Sequence, residues 1–107
     1  MVPKSNALPQ WLAADHRTAA RWPIDLPAEL AVRDRPGAVA VRVGDISALG
    51  CLLVVANEAV AVGRFVTVAL PGHAPLEGWI AWCKQGHAGV DFAQPLDEAK
   101  VDEIITG

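Results

Sequence analysis

Apolar and polar residues alternate along most of the chain after residue 25, which is the pattern of strands with one buried face. The first such segment has Leu26, Ala28 and Leu30 on one face, with more polar residues between them. The segment 51–56 is apolar on both faces, as a central strand would be. The pattern predicts six strands, over residues 26–33, 38–43, 51–56, 64–70, 77–84 and 89–92.

Short turn signals separate these segments and decide the architecture. Asp34-Arg35-Pro36-Gly37 and Pro71-Gly72-His73 are rich in residues that favour turns, and no helical pattern lies between the strands. Connections this short join antiparallel neighbours, and a small antiparallel sheet hides its edges by closing on itself. We therefore predict an all-β fold, a six-stranded antiparallel β-barrel.

The last segment changes to helical spacing. Asp97 is a suitable N-cap, and Val101 and Ile104 recur at the spacing of a helix face. The pattern predicts a short C-terminal helix over residues 97–105 that packs on the barrel.

The fifth predicted strand is apolar on both faces. Strict alternation places Gly78, Ile80 and Trp82 on one face and Trp79 on the other. Another element should therefore cover the outer face, and we expect the C-terminal helix to pack over Trp79.

The start of the chain lacks the strand pattern. Alanines favour a helix there, but Pro3, Pro9 and Pro23 bracket the stretch. We predict a flexible N-terminal arm over residues 1–22 and a barrel domain with its C-terminal helix over residues 23–107.

The composition limits the classes of protein to which the chain can belong. The chain has 107 residues, of which 52% are hydrophobic and 20% charged, which suits one globular domain and excludes a disordered chain. A net charge of −3 argues against a broadly basic surface for nucleic acid or acidic membranes. The charge is uneven, because residues 1–42 carry +2 and the remainder carries −5.

The sequence also indicates where the protein works. It has no signal-peptide pattern, and no apolar run approaches the roughly 20 residues that span a bilayer, so we predict a cytoplasmic protein without membrane insertion. Cys51 and Cys83 lie in apolar segments away from any metal-binding or redox spacing, which predicts two buried thiols.

The chain shows no pattern typical of an enzyme. Ser47 lacks the glycine context of a hydrolase nucleophile, and no glycine-rich phosphate loop is present. The histidines His16, His73 and His87 are isolated and lack metal-ligand spacing. We therefore predict a protein that is not an enzyme and needs neither a metal nor a cofactor.

Two short motifs contain residues suited to binding a nucleotide. Arg17-Thr18-Ala19-Ala20-Arg21 carries two guanidinium groups, which suit phosphate oxygens or the O6 and N7 acceptors of guanine. Asp45-Ile46-Ser47-Ala48-Leu49-Gly50 carries a carboxylate and a hydroxyl on a turn, with a glycine that allows close approach to the backbone. Together the two motifs indicate a site for a guanine nucleotide.

These motifs resemble those of the PilZ domain family, bacterial receptors for the second messenger cyclic di-GMP. The family pattern has an Arg-x-x-x-Arg arm, an Asp/Asn-x-Ser-x-x-Gly turn, a later Val-Gly, and Gly-Val-x-Phe in the last strand. The corresponding residues are Arg17 and Arg21, then Asp45, Ser47 and Gly50, then Val62-Gly63, and finally Gly89-Val90-Asp91-Phe92.

The resemblance implies a ligand site between the arm and the barrel. Arg17 and Arg21 would bind phosphate and guanine, Asp45 and Ser47 would bind a guanine, and Gly50 would shape the turn. The arm would close over cyclic di-GMP and signal to an unidentified partner protein in motility, pili or exopolysaccharide control.

Two positions depart from the family pattern, and two other functions compete. Leu49 stands where many members have a second glycine, at a position outside the binding pattern. His16 stands where many members have arginine, so the resemblance leaves open whether one or two cyclic di-GMP molecules bind. One alternative is a PilZ-like protein-interaction module that binds no nucleotide. The other, single-stranded nucleic acid binding, needs interleaved aromatic and basic residues, for which Trp79 and Lys84 give little support.

Overall fold

The computed structural model describes residues 21–56 and 60–106. Six strands and one helix lie within these residues, so the predicted element order is confirmed. The predicted arm lies outside the described residues except for its last two, Arg21 and Trp22. The elements are β1 (Trp22–Val32), β2 (Ala38–Ile46), β3 (Gly50–Val55), β4 (Phe65–Ala69), β5 (Leu76–Lys84), β6 (His87–Phe92) and α1 (Glu98–Thr106).

The strands form a closed antiparallel barrel in the order β1-β2-β3-β6-β5-β4, with β4 pairing back to β1. The predicted all-β barrel fold is therefore confirmed. Alternate residues of each strand point into one core, which buries apolar side chains such as Leu30, Val43 and Leu53. No helix in the described parts of the chain is long and apolar enough to cross a membrane.

The C-terminal helix packs against the same core. Asp97 is its N-cap, because a carboxylate oxygen of Asp97 accepts a hydrogen bond from the Lys100 amide at 2.8 Å. Val101 and Ile104 are buried in the core cluster. The expectation that the helix packs over Trp79 was wrong: that side chain is 46% exposed.

Three strand pairs contain a register shift, one of them between β1 and β2 at Pro23 and Leu26. In β2 the pairing with β3 shifts register between Val43 and Asp45, and in β5 the pairing with β6 shifts between Ile80 and Trp82. An extra residue in one strand reverses the facing of the residues beyond it. The predicted common face for Ile80 and Trp82 was therefore wrong, because Trp82 pairs with Gly89, whose neighbours in β6 point into the core.

Candidate functional site

The irregularity in β2 turns Asp45 toward the outside of the barrel. Val43 and Ile46 are both fully buried, and the shift of register at Gly44 allows both to face the core. Asp45 then pairs with Leu52, which lies between core residues of β3 and so points outward. The β2 strand also extends through Asp45, so this motif begins inside a strand and only residues 47–49 form the turn.

Arg21 lies beside Asp45 on this outer face. It immediately precedes β1, where Pro23 is the strand partner of Asp45. A guanidinium nitrogen of Arg21, Nη2, donates to Oδ1 of Asp45 at 2.5 Å, and the two side chains are only 16% and 13% exposed. The structure thus joins the last residue of one predicted motif to the first residue of the other.

The Arg21 guanidinium has further donors at this site. Its Nε and Nη1 atoms are buried, and neither has a hydrogen-bond partner among the residues that the structure describes. Buried donors without a partner are costly, so such groups commonly mark a place where another group binds. Arg17, the other predicted arginine, lies outside the described residues.

Ser47 and Gly50 close the turn between β2 and β3. The Ser47 amide donates to the Gly50 carbonyl at 2.9 Å, and the Ser47 hydroxyl accepts from the Leu49 amide at 3.1 Å. The Ser47 hydroxyl also donates to the Gly50 carbonyl at 3.4 Å, and the residue is fully buried. These contacts give Ser47 a role in holding the turn, and through it the positions of Asp45 and Gly50.

The last strand holds the other side of the same turn. Gly50 pairs with Asp91 of β6, and the Phe92 amide donates to the Leu49 carbonyl at 2.9 Å. The Leu96 amide donates to the Ala48 carbonyl at 2.8 Å. The Gly-Val-x-Phe segment therefore supports the Asp-x-Ser-x-x-Gly turn directly, although the two lie about 40 residues apart in the chain.

The sequence did not reveal that Leu52 and Trp82 lie in the same register row as Asp45. One register row runs across the outer face from Asp45 to Leu52, then to Gly89 and Trp82. A Cβ atom on Gly89 would overlap the indole of Trp82, so the glycine leaves room for the ring to lie against the barrel. Glycine at this position was the available signal, but the register shift in β5 was needed to interpret it.

Cys51 lies directly beneath the ion pair, on the core side of β3. The pKa of its thiol is raised to about 12, chiefly because the thiol is buried; the Asp45 carboxylate also raises this pKa, while the Arg21 guanidinium lowers it. Cys83 is exposed, so the prediction of two buried thiols was wrong for this residue. Both cysteines are free thiols.

The two cysteines should therefore differ in reactivity. We expect one fast-reacting thiol in the folded protein with Ellman's reagent at about pH 8, because only a thiolate reacts and the raised pKa keeps Cys51 protonated until the pH approaches 12. In protein unfolded in guanidinium chloride, two thiols should react. Cys83→Ser should remove the fast reaction, whereas rapid reaction of Cys51 in folded Cys83→Ser protein would contradict its burial.

The comparisons with known proteins agree with this geometry. Residues 15–107 match the family model described as PilZ domain. Among solved structures, the chain is similar to the PilZ domain of CeSA from a cellulose-synthesizing bacterium, with a TM-score of 0.64 and 19% sequence identity. That match covers 80% of this chain and 94% of the other, and at this identity it supports the fold alone. No curated protein matches the chain.

Proposed function

Because this chain belongs to the PilZ domain family, whose members are known as cyclic di-GMP receptors, we propose that it binds cyclic di-GMP on the outer face of its barrel. The proposed ligand residues are Arg17, Arg21, Asp45, Ser47 and Gly50. The protein acts as a binding module and not as an enzyme. It works in the cytoplasm, where the arm that carries Arg17 closes over the ligand and signals to a partner protein.

The Arg21–Asp45 ion pair is the observation that carries this proposal. A guanidinium that already donates one hydrogen bond to Asp45 keeps Nε and Nη1 for the phosphate or for the O6 and N7 acceptors of guanine. The carboxylate of Asp45 can accept from the opposite guanine edge, which bears N–H donors. The pair therefore offers donors and an acceptor together, as a guanine base requires.

The turn supports this pair through the backbone. The hydrogen bonds of Ser47 hold residues 47–50 in one conformation, so Asp45 is positioned before the ligand arrives. We propose that Ser47 acts mainly by this route. Gly50 has no side chain to separate the ligand from the strand, and Arg17 supplies a second cation from the arm.

Titration calorimetry of the full chain with cyclic di-GMP tests the proposal. We expect a dissociation constant of about 1 μM or tighter, which corresponds to about −8 kcal/mol. Cyclic di-AMP is the matched control, because adenine presents a different arrangement of donors and acceptors and should bind at least about tenfold more weakly. Absence of heat with cyclic di-GMP, or equal affinity for both nucleotides, would contradict the proposal.

A further inference from the structure

A row of three side chains crosses the outer face of the barrel and is separated from Gly50 by Asp91 of β6. The Arg33 guanidinium lies over the Phe65 ring, 4.2 Å from its centroid. Phe65 in turn meets Trp79 edge to face, with centroids 5.1 Å apart and ring planes at 74°. We call Arg33, Phe65 and Trp79 the aromatic patch.

The aromatic patch has the composition of a protein interface. Trp79 is 46% exposed although tryptophan has the largest apolar side chain. Tryptophan and arginine contribute most often to the energetic centre of protein interfaces. The contacts with Phe65 hold both side chains before a partner arrives, which lowers the entropy lost on binding.

The charges around the aromatic patch indicate the chemistry of its partner. Arg64 lies at the same edge as Arg33, since its Nη2 donates to the Arg33 carbonyl at 3.4 Å. Among the described residues, neither arginine forms an ion pair with a carboxylate. Glu77 is exposed and lies on the side of Trp79 away from Arg64, because it pairs with Thr67 whereas Trp79 pairs with Phe65.

We propose that the aromatic patch is the docking surface for a protein partner that presents an acidic and apolar segment. An aliphatic or aromatic side chain of that segment packs on Trp79, and a carboxylate binds Arg33 and Arg64. Repulsion from the exposed Glu77 carboxylate directs the acidic end of the segment toward the arginines. The same carboxylate opposes a nucleic acid, whose phosphates would meet it on one side of the aromatic patch.

Nitrogen–proton NMR of the full chain, with three synthetic peptides, tests this proposal. The probes are acetyl-Glu-Leu-Glu-Leu-Glu-amide, the same peptide with lysine for glutamate, and the same peptide with serine for leucine. We expect the first peptide to shift the Trp79 indole signal with a dissociation constant of about 1 mM or tighter, and the other two to bind at least about fivefold more weakly.

Matched variants locate the peptide on the aromatic patch. Trp79→Ala and Arg33→Gln should each weaken the acidic apolar peptide about fivefold or more. Val54→Ala and Arg42→Gln, which change an exposed valine and an exposed arginine elsewhere on the barrel, should leave its affinity unchanged. Equal binding of the three peptides, absence of binding, or tighter binding of oligothymidylate than of the acidic peptide would overturn the proposal.

The docking proposal and the cyclic di-GMP proposal can be tested independently of each other. Trp79→Ala should keep the affinity of the wild-type chain for cyclic di-GMP within about twofold, and Arg21→Ala should keep its affinity for the peptide. If the chain binds the peptide but not cyclic di-GMP, the docking proposal stands and the proposal of a cyclic di-GMP receptor is wrong. Loss of nucleotide binding on Trp79→Ala would assign the aromatic patch to the nucleotide and overturn the docking proposal.

Discussion

Replacement of Arg21 by alanine is expected to weaken cyclic di-GMP binding by about ten- to a hundredfold. A charge-assisted hydrogen bond contributes about 1.5–3 kcal/mol, and each 1.4 kcal/mol is tenfold in affinity. The loss of affinity should be closer to a hundredfold than to tenfold, because Arg21→Ala removes the ligand contacts of Nε and Nη1. It also leaves the largely buried Asp45 carboxylate without this cation. Titration calorimetry of the variant beside the wild-type chain measures the effect.

Arg42→Ala is the matched control for this prediction. Arg42 also pairs with a carboxylate, that of Asp25, at 2.5 Å, but both side chains are more than half exposed. Exposed pairs contribute about 0–1 kcal/mol, and Arg42, whose strand partner is Val54, is not one of the proposed ligand residues. An equal loss of affinity in both variants, or none in Arg21→Ala with its circular dichroism unchanged, would contradict the role given to Arg21.

Gly78→Ala is expected to destabilise the barrel by about 2–3 kcal/mol, the upper range for a group forced into a packed interior. A Cβ atom at Gly78 would lie 2.9 Å from the Cα of Phe92 and still closer to the Asp91 carbonyl oxygen. These are backbone atoms of β6, so the clash cannot be relieved by rotation of a side chain. Urea denaturation should show a lower transition midpoint with an unchanged slope.

Gly44→Ala provides the comparison within the same barrel. A Cβ atom there would lie 3.5 Å from Cδ2 of Leu52, which is an ordinary van der Waals contact. We expect a change in the free energy of unfolding below about 1 kcal/mol, because the smaller entropy of the unfolded chain offsets any local adjustment. Equal stability of Gly78→Ala and Gly44→Ala would show that β5 and β6 are not packed as described.

The architecture of the barrel followed from patterns that are local in the sequence. Alternation marked each strand because one face of the sheet is buried, and turn residues such as Pro36-Gly37 and Pro71-Gly72 separated the strands. Short connections then required antiparallel pairing. The Asp97 cap was also predictable, since capping depends on a few neighbouring residues.

The facing of Trp82 could not be predicted in the same way. Alternation of apolar and polar residues shows which face each side chain occupies only where the strand register is regular. In β5 the residues before and after the register shift are apolar, so the sequence gave no sign of the shift. Trp79 was misjudged for a related reason. The helix turns Val101 and Ile104 into the core and leaves the outer face of β5 to the contact between Trp79 and Phe65.

The candidate site was partly predictable. Both motifs could be read as residue types suited to a guanine nucleotide, but their meeting depends on the irregularity in β2 that turns Asp45 outward beside Arg21. The role of the Ser47 hydroxyl within the turn needed the hydrogen-bond geometry. The roles of Arg17 and of the closing arm stay predictions.

Nitrogen–proton correlation spectra of the full chain with and without cyclic di-GMP show whether the nucleotide binds at the Arg21–Asp45 pair. We expect the largest changes at the Arg21 side-chain Nε–H and at the backbone amides of residues 45–50, which lie around the ion pair. The amides of Ala40 and Val54, farther along β2 and β3 on the barrel, should change little. Spectra that do not change, or whose largest changes fall at Ala40 and Val54 while residues 45–50 stay constant, would contradict binding at this pair.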